Sequence, residues 1–152
     1  MTKHSTTEKV AELIKRGLKD DIIDMVNLGK SKVPDINNYS TIIIGGSIHM
    51  GVIQKKVKNF CVTNSSILLS KKIGLFMCYM ETEKGNEEFE QNFPEDLRNH
   101  AVATGLLGGE FLFEKMNFFE KLIVKKIANI NQSISKLKAE NITSFINDLN
   151  AE

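Results

Sequence analysis

Two uninterrupted apolar segments constrain the fold of this chain more than any other feature. The segments "STIIIGGS" (Ser40 to Ser47) and "KIGLFMCYM" (Lys72 to Met80) place apolar residues on both faces of an extended chain. A strand that is apolar on both faces needs helices on both sides, which is typical of a parallel sheet. Both segments therefore predict buried strands of an α/β protein.

Helical and strand patterns alternate along the rest of the chain. Apolar spacing predicts a helix over Thr6–Lys19, and Ser5 followed by Glu8 fits a capping box at its start. The other predicted elements are a strand at Asp21–Leu28, a helix containing Val57, Phe60 and Cys61, an acidic segment with Phe89 and Phe93 that Pro94 breaks, a strand at His100–Phe113, and helices at Asn117–Ala128 and Ser135–Leu149. This order predicts a three-layer α/β sandwich with a mostly parallel sheet, formed by residues 1–152 as a single domain.

Charge and cysteine content argue against several classes of function. The 20 basic and 19 acidic residues give a net charge of +1, so the chain lacks the concentrated positive charge of a nucleic-acid binder. Cys61 and Cys78 lack the paired spacing of a disulfide framework or a zinc site. No signal-peptide pattern and no apolar run of about 18 residues is present. We therefore expect a cytoplasmic protein without a metal site.

Three loops are predicted to leave the sheet at the carboxyl ends of its strands, where parallel α/β proteins bind ligands. They are "TKHSTT" (Thr2 to Thr7), "GGSIHMG" (Gly45 to Gly51) and "CYMETEKG" (Cys78 to Gly85). The first combines hydroxyls with a helix N-terminus, which suits a phosphate, although spacing alone favours the commoner role of these residues as helix caps. The paired glycines of the second either let the backbone approach a planar ligand or only form a tight turn.

Three stretches of the chain resemble one protein family. "TKHSTTEKVAELI" resembles the phosphate loop and first helix of flavodoxin-like proteins, whose loop has the pattern Ser/Thr-x-Thr-Gly-x-Thr. "YSTIIIGGSIHMGVIQKKVKNF" resembles the third strand and flavin loop of the flavodoxin subfamily that includes the menaquinone-dependent protoporphyrinogen oxidases. "GLLGGEFLFEKMNFFEKLIVKKIA" resembles the last strand and the additional helix of that subfamily. The resemblance extends over nearly the whole chain.

This resemblance implies a site for FMN. The residues around its phosphate would be Thr2, Lys3, His4, Ser5, Thr6 and Thr7. The isoalloxazine ring would lie between two groups of residues, Ser47, Ile48, His49, Met50 and Gly51 on one side and Cys78, Tyr79, Met80, Glu81 and Thr82 on the other. The chain departs from the family pattern at Ser5, which replaces the usual glycine, and at His4, which replaces the usual hydroxyl residue.

The resemblance implies a redox function and leaves a second function open. The first is an electron carrier, or an oxidase of a small substrate such as a porphyrinogen, that works with a redox partner protein or a quinone. The second is a flavodoxin-like module that no longer binds flavin and serves as an interaction or regulatory domain. The basic amphipathic helix Asn117–Ala128 either contacts a membrane surface or simply covers the sheet. Cys78 is expected to be a small buried hydrophobe rather than a reactive thiol.

The strand that opens the flavodoxin fold has no counterpart in the printed sequence. In the family order it lies between the strands predicted at Asp21–Leu28 and Ser40–Ser47, and no apolar run precedes Thr2. The natural protein could have further residues, a partner could supply the strand, or the two neighbouring strands could close against each other. We favour the first explanation, because the predicted loop, cap and helix after the strand are all in place. The two neighbours are then expected to expose strand edges.

Overall fold

The structure is a computed structural model that describes residues 6–19, 22–80, 83–111 and 134–151. Its strands are β1 (Thr41–His49), β2 (Val52–Ile53), β3 (Lys72–Cys78), β4 (Ala103–Leu106), β5 (Gly108–Phe111) and β6 (Ile134–Leu137). Its helices are α1 (Thr6–Gly17), α2 (Lys55–Thr63), α3 (Ser65–Leu68), α4 (Gly85–Asn92), α5 (Glu95–His100) and α6 (Ala139–Asn150), with a 3₁₀ turn at Ile36–Asn38. Within these ranges, no helix has the length and apolar character that crossing a membrane requires.

The main sheet has the strand order β2-β1-β3-β4. β1 and β3 run parallel in continuous register from Thr41 opposite Lys72 to Ser47 opposite Cys78, and β4 continues the sheet in parallel on the far side of β3. All residues of β3 after Lys72 are buried, as its two-sided apolar sequence predicts. The predicted α/β fold class and the two predicted central strands are thus confirmed.

Helices cover both faces of this sheet. Phe76 and Cys78 point from β3 to one face, where the cluster also contains Val10, Ile14, Ile142, Phe145 and Leu149 from α1 and α6. The alternate residues Ile73, Leu75 and Met77 point to the other face, where they pack with Val57, Cys61, Phe89 and Leu97 from α2, α4 and α5. The period of two along β3 therefore divides the apolar core into two layers.

The prediction of a strand at Asp21–Leu28 is wrong for its described part. Residues 22–27 belong to no helix or strand, and a turn follows them. Ile22 is 96% exposed, and Met25 and Val26 are also exposed. A strand forms only when a neighbour satisfies its backbone hydrogen-bonding groups, and no described strand lies beside this segment. The explanation in which this segment closes against β1 is therefore wrong as well.

Two predictions in the second half of the chain need correction. The predicted strand His100–Phe113 is divided in its described part, because α5 extends to His100 and two separate strands, β4 and β5, follow. Gly108 has φ +80°, a left-handed conformation that ends the first strand and redirects the chain. The predicted helix Ser135–Leu149 begins only at Ala139, because Ser135–Leu137 belong to β6, which pairs antiparallel with β5. The predicted helix Asn117–Ala128 lies outside the described residues.

The edge of β1 that faces away from β3 is paired at one end only. There β2 pairs antiparallel with Ile48 and His49. Among the described residues, no strand pairs with Thr41–Ser47 on that edge. An apolar strand edge of this length offers its free backbone groups to any further strand.

Candidate functional site

The predicted second and third loops leave the sheet side by side. Ser47 and Cys78 are register partners at the carboxyl ends of β1 and β3. Because the two strands are parallel, the residues that follow them emerge from the same edge of the sheet. The prediction that these loops face a common space is consistent with this register.

The first turn of α1 lies at the same edge. Thr6 Oγ1 donates to the carbonyl oxygen of Glu110 in β5 at 3.3 Å. The Thr7 hydroxyl lies against the Cys78 thiol and acts to lower its pKa. Thr7 Oγ1 is nevertheless buried and makes no hydrogen bond of normal geometry to a described residue. A buried hydroxyl without such a bond is unusual, and it leaves Thr7 able to bond to a group brought by a ligand or by the preceding loop.

Both cysteines are neutral thiols at physiological pH. Burial raises the pKa of Cys78 to about 12, while the Thr7 hydroxyl opposes this shift and the Glu110 carboxylate adds to it. Burial also raises the pKa of Cys61 to about 11, and both thiols are free and buried. Since the thiolate is the reactive form of cysteine, neither residue is set up as a nucleophile. This supports the prediction that Cys78 acts as a small hydrophobe.

A charged pair lies beside the first turn of α1. Lys9 Nζ lies 2.7 Å from Glu110 Oε1, and Ser135 Oγ of β6 donates to the same oxygen at 2.7 Å. The Glu110 side chain is only 3% exposed, whereas the Lys9 side chain is 56% exposed. A buried carboxylate is tolerated when a cation and a hydroxyl both contact it. Glu110 thereby links α1 to the antiparallel pair of strands β5 and β6.

The second loop forms a tight β-hairpin at the end of β1. His49 pairs with Val52, so Met50 and Gly51 alone form the turn. Both have positive φ, 53° at Met50 and 78° at Gly51, which is the signature of a type I′ turn. The Met50 side chain is fully exposed at the tip. The paired glycines 45 and 46 do not form this turn, because they lie within β1.

The third loop is held from two directions directly after β3. The Tyr79 N–H donates to the carbonyl oxygen of Gly108 at 3.0 Å. Lys138 Nζ lies 3.1 Å from Tyr79 Oη and 5.5 Å from the centroid of its ring. A side chain on Gly109 would collide with the Tyr79 backbone, since a Cβ there would lie 2.6 Å from the carbonyl oxygen. The start of this loop is therefore fixed against the antiparallel pair of strands β5 and β6.

A family model described as a flavodoxin domain matches residues 1–137 of the chain. The chain belongs to the flavodoxin domain family. This family consists in general of FMN-binding redox modules. No curated protein and no solved structure matches the chain.

The described part of this flavodoxin domain contains ten of the predicted flavin-site residues. They are Thr6, Thr7, Ser47, Ile48, His49, Met50, Gly51, Cys78, Tyr79 and Met80. The residues Thr2, Lys3, His4, Ser5, Glu81 and Thr82 lie outside the described residues, so their placement stays a prediction. Thr7 and Ser47 each lie next to Cys78. Met50 projects into solvent.

Sequence reasoning missed the residues that support these loops. Gln54 bonds to Ser47 at the base of the hairpin, and Asn92 of α4 bonds to the hairpin backbone. Lys9 and Glu110 hold α1 against β5. Glu110 carries a visible signal, since it is a lone carboxylate within the apolar stretch "LLGGEFLF". Asn92 carries none, because its partners in the hairpin are backbone groups about forty positions away.

Proposed function

We propose that this flavodoxin domain binds FMN at the edge of the sheet formed by the first turn of α1, the β1–β2 hairpin and the loop after β3. The observation that carries the proposal is the convergence on Cys78, which Thr7 contacts from α1 and Ser47 faces from β1. The elements α1, β1 and β3, which are far apart in the sequence, thus meet at the edge where parallel α/β proteins bind ligands.

The phosphate of FMN suits the first turn of α1. The free N–H groups of a helix N-terminus favour an anion, and Thr6 and Thr7 add hydroxyls there. The buried Thr7 hydroxyl lacks a hydrogen bond of normal geometry among the described residues, as a group reserved for a ligand would. By resemblance to the family loop, Thr2 and Ser5 would complete this site.

The isoalloxazine ring suits the space between the two later loops. The hairpin Ser47–Gly51 would contact one side of the ring, and Cys78–Thr82 the other. When bound, FMN supplies the one- and two-electron chemistry. The neutral Cys78 thiol would add a soft contact without charge, and exposed Met50 would help to exclude water from the ring.

The finer assignment follows the resemblance to the menaquinone-dependent protoporphyrinogen oxidases. We propose electron transfer, or oxidation of a small substrate such as a porphyrinogen, with a redox protein or a quinone as partner. His49 and Met50 stand where those oxidases tend to have an Arg-aromatic pair, so the electron-carrier role is the simpler of the two. The segment Asn117–Ala128 is the proposed contact with a membrane surface.

A flavin titration of the purified protein tests the proposed cofactor. We expect FMN to bind with quenching of its fluorescence and FAD to bind more weakly, because the chain has no GxGxxG turn for a pyrophosphate. Riboflavin serves as the control for the phosphate. Tight FAD binding with no response to FMN would overturn the proposal.

One observation favours a second candidate function, that of a flavodoxin-like module without flavin. The buried Glu110 carboxylate lies next to the first turn of α1, so a negative charge is already close to the proposed phosphate position. Such a module would act as an interaction or regulatory domain. A yellow protein after purification, or after addition of FMN, supports the redox function, and a colourless protein that does not respond supports the alternative.

A further inference from the structure

The β1–β2 hairpin adopts a conformation that its own sequence does not favour. Its turn needs positive φ at two successive residues, and the first of these is Met50 rather than Gly or Asn. A side chain at positive φ is strained. The antiparallel ladder contains only two residue pairs, Ile48 with Ile53 and His49 with Val52. A hairpin of this size is marginal without external support.

Asn92 of α4 supplies that support from outside the hairpin. The Ile53 N–H donates to Asn92 Oδ1 at 2.8 Å, and Asn92 Nδ2 donates to the Gly51 carbonyl oxygen at 2.9 Å. The second Nδ2 hydrogen bonds to the Glu88 carbonyl oxygen of the same helix at 2.7 Å. Asn92 is 3% exposed, so its amide bonds to the hairpin without competition from water.

The base of the hairpin is closed by a second amide. The Ser47 N–H donates to Gln54 Oε1 at 3.0 Å, and Gln54 Nε2 donates to the Ser47 hydroxyl. Gln54 thus ties the two ends of the segment together, while Asn92 fixes its turn to α4. Asn92 connects the hairpin to α4 through hydrogen bonds, and Ile53 anchors it in the apolar core.

We propose that Asn92 is a positioning residue that holds the β1–β2 hairpin in the conformation used to bind the flavin ring. This inference rests on the proposed FMN function. The amide is suited to the role because it donates and accepts at once. Aspartate keeps the acceptor for Ile53 and loses the donor for Gly51, and leucine loses both.

Hydrogen exchange in flavin-free protein tests the positioning role. We expect the Ile53 amide to exchange about tenfold faster in N92L than in the unchanged protein, because a buried hydrogen bond is lost. N92D should also expose it, because a carboxylate oxygen then lies against the Gly51 and Glu88 carbonyl oxygens. N64L is the matched control, since Asn64 donates one side-chain bond to Phe60 O at 2.9 Å, away from the hairpin. The double variant N92D/M50G should recover part of the protection, because glycine adopts positive φ without strain. If N92L does not fold, N92D and N92D/M50G decide the question.

Flavin titration of the same variants tests the purpose of the hairpin. We expect the Kd for FMN and the Kd for riboflavin to rise together by about tenfold in N92L, because the ring contact is common to both ligands. Exchange of Ile53 at the unchanged rate, or a rise in Kd no larger than that of N64L, overturns the role of Asn92 and leaves the proposed function standing. If the unchanged protein binds no FMN, the proposed function fails and the flavin part of the inference fails with it. The exchange measurement separates these failures because it is made without flavin.

Discussion

Ser47 lies directly opposite Cys78 at the ends of the parallel strands β1 and β3. This one pairing brings together two loops that are about thirty residues apart in the chain. Register in a sheet with buried faces is strongly specified, since a shift by one residue would turn every apolar side chain to the wrong face. The core therefore determines where these two loops emerge, and their own residues are free to serve binding.

Substitution of Thr7 by valine is predicted to weaken FMN binding more than riboflavin binding. The lost hydroxyl would face the phosphate, and the loss of a hydrogen bond to a charged group costs about 1.5–3 kcal/mol. Titration of both ligands by fluorescence quenching measures the difference. T143V is the control, because the hydroxyl of the exposed Thr143 donates to the Ala139 carbonyl oxygen within α6. Equal weakening of both ligands would mean that Thr7 only stabilises the first turn of α1.

We predict that the free energy of unfolding falls above pH 9, because the buried Cys78 thiol keeps its proton in the folded state. Burial raises the pKa of Cys78 from 9.0 to about 12 in the folded state. Above pH 9 the unfolded chain then loses this proton while the folded chain keeps it, so the free energy of unfolding falls as the pH rises. Below pH 9 the thiol is protonated in both states and has no effect.

Chemical denaturation of the unchanged protein and of C78A at pH 8 and pH 10 measures this contribution. We expect the unchanged protein to lose about 1 kcal/mol more than C78A over this interval. The comparison removes the effect of lysine and tyrosine titration, which the two proteins share. A parallel decline would show that Cys78 ionises as easily in the folded state as in the unfolded one.

Substitution of Lys9 by methionine is predicted to destabilise the domain. It removes the cation that lies 2.7 Å from the nearly buried Glu110 carboxylate. The cost should be about 1–3 kcal/mol, below that of a fully buried pair because Lys9 is more than half exposed. Urea denaturation measures it, and K15M on the same helix is the control, since Lys15 Nζ donates an exposed hydrogen bond to the Ile23 carbonyl oxygen.

The double variant K9M/E110Q distinguishes the charge pair from simple packing. With the carboxylate replaced by a neutral amide, loss of Lys9 no longer removes a favourable charge interaction from a buried carboxylate. We therefore expect K9M/E110Q to be more stable than K9M alone. If the loss of stability in K9M/E110Q equals the sum of the losses in K9M and in E110Q, the Lys9–Glu110 pair contributes nothing beyond its separate contacts.

The core strands could be predicted from the sequence because their signal is contained within each strand. Ser40–Ser47 and Lys72–Met80 are apolar on both faces, and the structure buries β3 after Lys72 while it leaves most of β1 half-buried. The strand predicted at Asp21–Leu28 does not form in its described part. A strand needs a neighbouring strand to pair with, and the local apolar pattern carries no information about such a neighbour. The pattern of residues 135–137 continues into α6 and predicts a helix there. These residues form a strand instead, because they pair with β5.

The candidate site could be predicted only in part, for a related reason. The ends of the predicted strands and the family resemblance indicate the loops that contain Thr7, Ser47 and Cys78. The contacts that fix those loops join residues across large sequence separations, as Asn92 does with Gly51 and Lys9 does with Glu110. No local pattern specifies such pairs. They follow from the packing of helices on the sheet, which only the folded chain defines.

The outer edge of β1 leads to the last prediction. Among the described residues, Thr41–Ser47 have no strand partner on that edge, and the apolar residues Ile22, Met25 and Val26 are exposed nearby in the sequence. A protein made from the printed sequence is therefore expected to aggregate or to exchange strands between molecules. We predict that an apolar strand of about five or six residues, placed before Thr2, pairs with this edge, raises the Tm and strengthens FMN binding.

A strand of the same length made of glycine and serine is the control, because it adds chain without adding apolar burial. Thermal unfolding and FMN titration of the three proteins measure the effect, and gel filtration reports strand exchange. If the unextended protein is already monomeric, unfolds cooperatively and binds FMN as tightly as the extended one, then this edge of β1 is complete without a further strand.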